Sequence, residues 1–378
     1  MSVQAYDAVV VGGGIVGTSA AYSLVRSGAR TLLVDREDPG KATAAGAGII
    51  SPEAYNGGDH PWYRLLVGGL EYYPELIAQI GGAEADTGYA PCGQLVVAVG
   101  AEEKAVFEAN ARQILALEAA RGTDDIAVLK GAEARALFPP LSSVEGGLLY
   151  RRAARVDGRK LNRALLEKGV RDGLELRRAE AGALRVEAGT LRGLEVAGER
   201  VETPRLIIAG GAWSAHWSAQ LGLAIPVEPQ RGQIVHLRLH DTDTSAWPIL
   251  FGLEGHYMVP WPDGRLAVGA THEAAGFAAA PTAEGVREVL DTALRLAPGL
   301  AAAEFVEVRV GLRPVSADGL PVLGPVPGAD GVFVATGHGA VGLHLGPLSG
   351  RLAAEWSLGH SIDYDLTPFD PGRFPNYN

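Results

Sequence analysis

The most restrictive stretch of this chain is its beginning. A strand, a glycine turn, a helix and a second strand follow one another between Tyr6 and Asp35. Tyr6 to Val11 is an apolar, β-branched run, as expected of a parallel strand buried on both faces. Ile15 to Ser27 is helix-compatible, with Ala20, Ala21, Leu24 and Val25 able to face a sheet, and Gly28 stops it. Thr31 to Val34 reads as the second strand, with Asp35 at its end. This is a β-α-β unit, for which right-handed parallel geometry is expected. Gly12, Gly14 and Gly17 form G-x-G-x-x-G at the turn. Gly12 permits the sharp bend, Gly14 lets the backbone approach a pyrophosphate, and Gly17 lets the helix pack tightly on the sheet. The helix start, with Ile15 and Val16, offers free N–H groups and partial positive charge to phosphates. Asp35 lies at the usual distance for accepting hydrogen bonds from an adenosine ribose. An ordinary α/β domain can also carry a glycine-rich turn. The strand, helix and terminal acid together point instead to dinucleotide binding.

These residues do not by themselves choose the dinucleotide. The unit's N-terminal position is common in FAD proteins, and no second G-x-G-x-x-G followed by an acid is present for a nicotinamide cofactor. Gly210-Gly211 follows a strand-like run but lacks the full spacing. A second glycine loop, Thr336 to Gly342, follows a buried strand-like run and opens the last helix. It again offers backbone N–H groups at a positive helix end, suited to the edge of a reduced flavin that carries negative charge. A tight strand-to-helix turn is the plainer alternative, and His338 within it reads slightly better as a packed side chain than as a catalyst.

Between these landmarks the pattern alternates. Helical segments are expected around Trp62 to Ile80, Glu102 to Ala120, Asp157 to Asp172 and Thr282 to Leu296, with a further helix from about Trp213. Strands are expected at Cys92 to Val99, Arg205 to Ala209, Gln233 to Leu239, Tyr257 to Pro260, Leu266 to Ala270, Val306 to Leu312 and Val332 to Ala335. Leu141 to Val156 reads as a connection, and Leu174 to Val196 as a short β-meander. With 378 residues and no low-complexity linker, two domains woven from alternating segments fit better than two in series. The formal net charge of -11 makes nucleic acid and anionic membrane poor partners. A single cysteine, Cys92, excludes a disulfide framework and a cysteine-rich zinc site, and the histidines show no metal-ligand spacing, so no metal is expected. Met1 to Asp7 has no basic segment before an apolar core, and no uncharged apolar run would span a bilayer. A cytoplasmic protein without signal peptide or transmembrane segment is the expectation.

At this point the residues carry a resemblance. TAAGAGIISP (Thr43 to Pro52), LIIAGGAWS (Leu206 to Ser214), QRGQ (Gln230 to Gln233), HYMVP (His256 to Pro260), GATHEAAGF (Gly269 to Phe277), GLRP (Gly311 to Pro314), DGLP (Asp318 to Pro321) and the loop from Gly337 resemble the D-amino-acid oxidase superfamily of FAD enzymes. Within it, the glycine oxidase and D-amino-acid dehydrogenase branch is nearest. The resemblance implies an α/β fold, with a Rossmann-type FAD-binding domain (1–50, 145–225 and 310–378) interleaved with an α+β substrate domain on an antiparallel sheet (51–144 and 226–309). It implies FAD contacts at Gly12, Gly14, Ile15, Val16, Gly17, Asp35 and Arg36, and at Thr43, Ala44, Gly48 and Ile49 beside the flavin. Gly210, Trp213 and the run His338, Gly339, Ala340, Val341, Gly342 and Leu343 complete the cofactor set. Arg313, in the GLRP position, is expected to clamp a substrate carboxylate, helped by Tyr257 in the HYMVP position. The plainer readings are an inter-domain ion pair for Arg313 and a core aromatic for Tyr257.

Glycine oxidases commonly carry an arginine where this chain has Ala340, which leaves room for a substrate larger than glycine. The cysteine that holds flavin covalently in sarcosine-oxidase relatives has no counterpart near the last loop, so FAD is expected to be non-covalent. The implied reaction is oxidative deamination of a small amino acid or related amine: hydride moves from Cα to flavin N5, and the imino acid is hydrolysed. Oxygen and a quinone or other carrier are both open as electron acceptor. Two alternatives remain: a flavin monooxygenase, and a flavin-binding subunit of a multi-subunit amine dehydrogenase.

Overall fold

Ala8–Val11 lies at the centre of a six-stranded sheet, and the complete burial of Ala8, Val9 and Val10 explains why this run lacks polar alternation. The computed structural model describes residues 4–51 and 60–374. Pro52, which ends the TAAGAGIISP run, and the outlying residues 1–3, 52–59 and 375–378 of the expected domain ranges lie outside them. The strand order is Glu175–Arg178, Thr31–Asp35, Ala8–Val11, Leu206–Ile208, Val332–Thr336 and Val322–Pro325. The first five run parallel, and the last is antiparallel to its neighbour. Helices Ile15–Arg26, Pro61–Ile80, Gly158–Arg171 and Gly342–Ser357 cover one face. The meander Ala181–Glu187, Thr190–Val196 and Glu199–Glu202 packs on the other.

The first and last of those helices approach closely because glycines line the contact. A Cβ on Gly350 would stand 2.4 Å from the Val16 carbonyl oxygen, and one on Gly346 would stand 2.8 Å from Ile15 Cγ2. This contact joins the helix that begins after Gly14 to the one that begins at Gly342.

The second layer is an eight-stranded sheet in the order Glu304–Ser316, Val227–Arg238, Arg265–Gly269, Tyr257–Pro260, Ile249–Gly252, Gln94–Ala98, Gly146–Tyr150 and Ile126–Lys130. Its pairs are antiparallel except Ile249–Gly252 with Gln94–Ala98. Helix Ala283–Leu296 packs behind it through Val289, Ala293 and Leu296. Three short strands, Ile49–Ile50, Ala154–Arg155 and Ala90–Pro91, form a small sheet of their own.

Four expectations are corrected. Leu141 to Val156 is not a plain connection: it holds the strands Gly146–Tyr150 and Ala154–Arg155. Gly146 and Gly147 hide the strand pattern, and they are small because Phe107 and Leu95 occupy the space a Cβ would need. Only part of Leu174 to Val196 is a meander, since Glu175–Arg178 joins the parallel sheet beside Thr31–Asp35. The helix expected from Trp213 is a 3₁₀ stretch, Gly211–Trp217, followed by a single turn, Ser218–Leu221. Finally, Val306 to Leu312 extends to Glu304–Ser316, so Arg313 sits within a strand. Gly146–Tyr150 belongs to the eight-stranded sheet, although it falls in the range 145–225. Glu304–Ser316 runs across the division at 309.

Candidate active site

A cavity of about 780 Å³ runs from the first glycine turn to the face of the antiparallel sheet. At one end Gly12 has φ +106°, and a Cβ there would meet the Ala209 carbonyl oxygen at 2.3 Å. A Cβ on Gly17 would stand 1.9 Å from the Gly12 oxygen, so Gly17 serves the turn itself as much as the sheet behind it. Gly14 caps the helix with backbone alone, and no acid occupies the first turn. Thr43 faces that helix start and accepts a 3.0 Å hydrogen bond from the Ile15 N–H.

Asp35 follows at the same end of the cavity. Its carboxylate accepts from the Glu37 N–H at 3.1 Å and is paired with Lys41. A Cβ on Gly13 would stand 2.3 Å from Asp35 Oδ2, so the second glycine of the turn makes room for the acid. Gly13 and Lys41 were not singled out from the sequence. Gly13 fills the variable position between the motif's first two glycines, which has no named role, and a lysine six residues beyond an acid gives no signal. Arg36 also lines the cavity, with its guanidinium held by Asp38 at 2.9 Å and Glu180 at 3.1 Å. Those bonds raise its pKa.

The middle of the cavity is walled by Gly48, Ile49, Gly210 and Trp213. Gly48 has φ +81°, and a Cβ there would overlap the Val156 carbonyl oxygen. Thr336 ties the floor together: its hydroxyl accepts from Ser214 Oγ at 2.9 Å and donates to the Gly211 carbonyl at 3.0 Å. The second glycine loop forms a 3₁₀ turn, Gly339–Val341, and then the helix Gly342–Ser357, again with no side-chain cap and no acid in its first turn. Two helix N-termini whose N-cap residues supply no side-chain cap therefore face one cavity, which is what a pyrophosphate and an electron-rich ring edge need.

Every expected site residue lines this cavity except two. Gly17 packs inside the turn, and Ala44 turns its carbonyl to Arg159 Nε at 2.7 Å. His338 is buried with no partner for Nε2 among the described residues, and burial brings its pKa down to about 4, so it is neutral. His344, missed from sequence, also lines the cavity. Its Nδ1 accepts from the Ser51 N–H at 3.3 Å, and its Nε2 lies 2.7 Å from the Leu66 carbonyl, so Nε2 carries the proton. Burial again takes the pKa to about 4.

The far end lies on the antiparallel sheet. Arg313 stands opposite Gln230, and its guanidinium lies over Gly232, where a Cβ would come within 2.6 Å of it. Nη1 donates to the Thr271 carbonyl at 2.9 Å. Among the described residues no carboxylate pairs with Arg313, although burial lowers its pKa. The Tyr257 phenol is its electrostatic neighbour and opposes that shift. Burial pushes the Tyr257 phenol up to about 12, so it remains a protonated donor. His272 lines the same end and was likewise missed, because a histidine in a loop gives no positional signal.

A family model described as "FAD dependent oxidoreductase" (DAO) matches residues 7–356. An uncharacterized oxidoreductase, YurR, of Bacillus subtilis is 38% identical over 96% of this chain and 98% of its own length. A glycine oxidase of Pseudomonas aeruginosa is 33% identical, covering 96% and 98%. Among solved structures, iminodiacetate oxidase (IdaA) from Chelativorans sp. BNC1 superposes with a TM-score of 0.90 at 38% identity, covering 96% and 98%. Glycine oxidase from Geobacillus kaustophilus gives 0.89 at 28%, covering 99% and 100%.

Proposed function

Because the chain belongs to the DAO family of FAD dependent oxidoreductases, acting on CH–NH groups, we propose that it oxidises a small α-amino acid or N-substituted glycine whose carboxylate is held by Arg313. The observation that carries this reading is Arg313 itself: a largely buried guanidinium on the cavity wall, beside a phenol, with no carboxylate partner among the described residues. A buried cation without a counter-ion is costly, and a bound carboxylate offsets that cost through charge-assisted bonds. An inter-domain ion pair, the plainer role, would require an acid, and none among the described residues pairs with Arg313.

Bound FAD supplies the two-electron acceptor for hydride from the carbon beside the amine. The chain supplies position and field. Gly12, Gly14 and the first helix start hold the pyrophosphate, and Asp35 holds the ribose. The helix start at Gly342 lends positive potential to the ring end. Arg313 orients the substrate carboxylate, and Tyr257, protonated throughout the working range, donates a further hydrogen bond to it. His338 and His344, both buried and neutral, are given no proton-transfer role. The only cysteine, Cys92, is not a lining residue, which supports non-covalent FAD. The six-stranded sheet supports a cofactor domain drawn from 1–50, 145–225 and 310–378, with the eight-stranded sheet, which also takes Gly146–Tyr150 and the strand carrying Arg313, as the substrate domain. Among the described residues no helix is long and apolar enough to cross a membrane.

The test is anaerobic reduction of the yellow protein by glycine, sarcosine, D- and L-amino acids and prolines, followed by air. Bleaching by an α-amino acid, with KM strongly raised in Arg313→Met, is the expected result. A wild-type flavin that none of these reduces would overturn the reading, and so would a normal KM in the folded variant.

A further inference from the structure

We propose that His272 is a second substrate anchor, so that the preferred substrate is an α-amino acid whose nitrogen or side chain carries a second anionic group. The inference rests on Arg313 holding the first carboxylate.

His272 follows Thr271, whose carbonyl accepts from Arg313 Nη1 at 2.9 Å. Its Nδ1 lies 3.0 Å from Gln230 Oε1, and the same oxygen lies 3.5 Å from Arg313 Nη1. An amide oxygen only accepts, so both groups donate to it, and Nδ1 carries the proton in the neutral ring. Nε2 is left as the nitrogen that takes up a second proton. One glutamine oxygen thus holds a permanent cation and a titratable one within the span of a small molecule.

The charges around His272 are unbalanced. Partial burial disfavours its protonation, and Arg313 and, from the neighbouring turn, His256 add to that effect. Tyr257, beside Arg313, stays neutral. Glu273 is the adjacent carboxylate, but it is engaged elsewhere. It pairs with Arg231 and accepts from Gln233 Nε2 at 2.7 Å and Thr271 Oγ1 at 2.6 Å, and its pKa falls to about 2. A monocarboxylate neutralises Arg313 and leaves His272 idle. A second carboxylate reverses the balance at His272, draws a proton onto Nε2 and gains a charge-assisted bond. There is space for the extra arm: Gly255 and Ala340 line the same cavity, and among the described residues nothing stands within 4 Å of a Cβ on Gly255.

The sign of the pH dependence follows. Protonated His272 favours the diacid complex, so the preference is greatest at low pH. It falls once pH passes the pKa of His272 in the free enzyme, by up to about tenfold per unit for a single proton, and levels off above the higher pKa of the complex. The experiment measures kcat/KM of the FAD-loaded enzyme for iminodiacetate and for sarcosine between pH 6 and pH 9. Both substrates must lose an amine proton, so their ratio isolates the second carboxylate. The expected result is a ratio that favours iminodiacetate and declines with pH through KM rather than kcat. His272→Gln should lower the ratio about tenfold or more at pH 6. His272→Arg should keep the preference and remove its pH dependence. A ratio that is flat with pH and unchanged in His272→Gln overturns the second anchor while the Arg313 reading stands. Failure of both substrates and of glycine to reduce the flavin overturns both.

Discussion

The two ends of the cavity are built from different materials. The cofactor end is mostly backbone: glycines whose missing Cβ atoms leave room for carbonyls, and two helix starts with no side-chain cap. The substrate end is side chains on separate strands, with Arg313, Tyr257 and Gln230 brought together by pairing across the sheet. Backbone geometry leaves little freedom for substitution, because one added methyl meets main chain that cannot move away. Side-chain chemistry can be edited one group at a time. The cofactor end should therefore fail as a whole, and the substrate end by degrees.

Gly12→Ala tests the first half and should have the largest effect. Its Cβ would stand 2.3 Å from the Ala209 oxygen at φ +106°, so strain and overlap together cost about 3 kcal/mol or more. The purified variant should lose its FAD absorbance and unfold at lower temperature. Gly28→Ala is the control. It also has positive φ, +84°, but among the described residues nothing lies within 4 Å of the added carbon. It should cost about 1 kcal/mol and keep FAD. Equal losses in the two variants would mean that backbone conformation, not close approach, governs the turn.

Arg313→Met comes next and addresses the second half. The expected loss is about 2–5 kcal/mol in kcat/KM for an α-amino acid, with FAD retained at wild-type stoichiometry. Loss of FAD in this variant would break the division between the ends. Tyr257→Phe should cost about 1 kcal/mol, roughly fivefold, since it removes one hydrogen bond and leaves the cation. With the phenol pKa raised to about 12, the wild-type rate should show no limb from Tyr257 below pH 10.

The same contrast explains what could be read in advance. The strand, glycines, helix and Asp35 lie within one short run, so local spacing encodes the cofactor end, and Gly12 and Gly17 stand where their spacing places them. Arg313 and Tyr257 are far apart in sequence and meet only through a sheet, so they were reached by resemblance and not by pattern. Gly13, Lys41, His272 and His344 escaped notice because each is defined by a neighbour distant in the chain, or by a role no spacing rule describes. The strand Gly146–Tyr150 was missed for a related reason: its glycines answer to Phe107 and Leu95, which lie on other elements.

The smallest expected effect probes whether the two ends are separable at all. The Leu312 N–H donates to the Gly40 carbonyl at 2.8 Å, and Lys41 forms a bridge with Leu312. The residue that pairs with Asp35 is therefore held by backbone to the residue before Arg313. The Lys41 side chain is 27% exposed, so its ion pair is screened and worth about 1 kcal/mol or less. Lys41→Met should weaken FAD binding about fivefold at most, measured by fluorescence titration of the apoprotein. It should leave the amino-acid KM unchanged, because the link to Leu312 is made by main chain that the substitution keeps. A raised KM with unchanged FAD affinity would mean that the Lys41 side chain sets the strand carrying Arg313, and that the cofactor and substrate ends act as one unit.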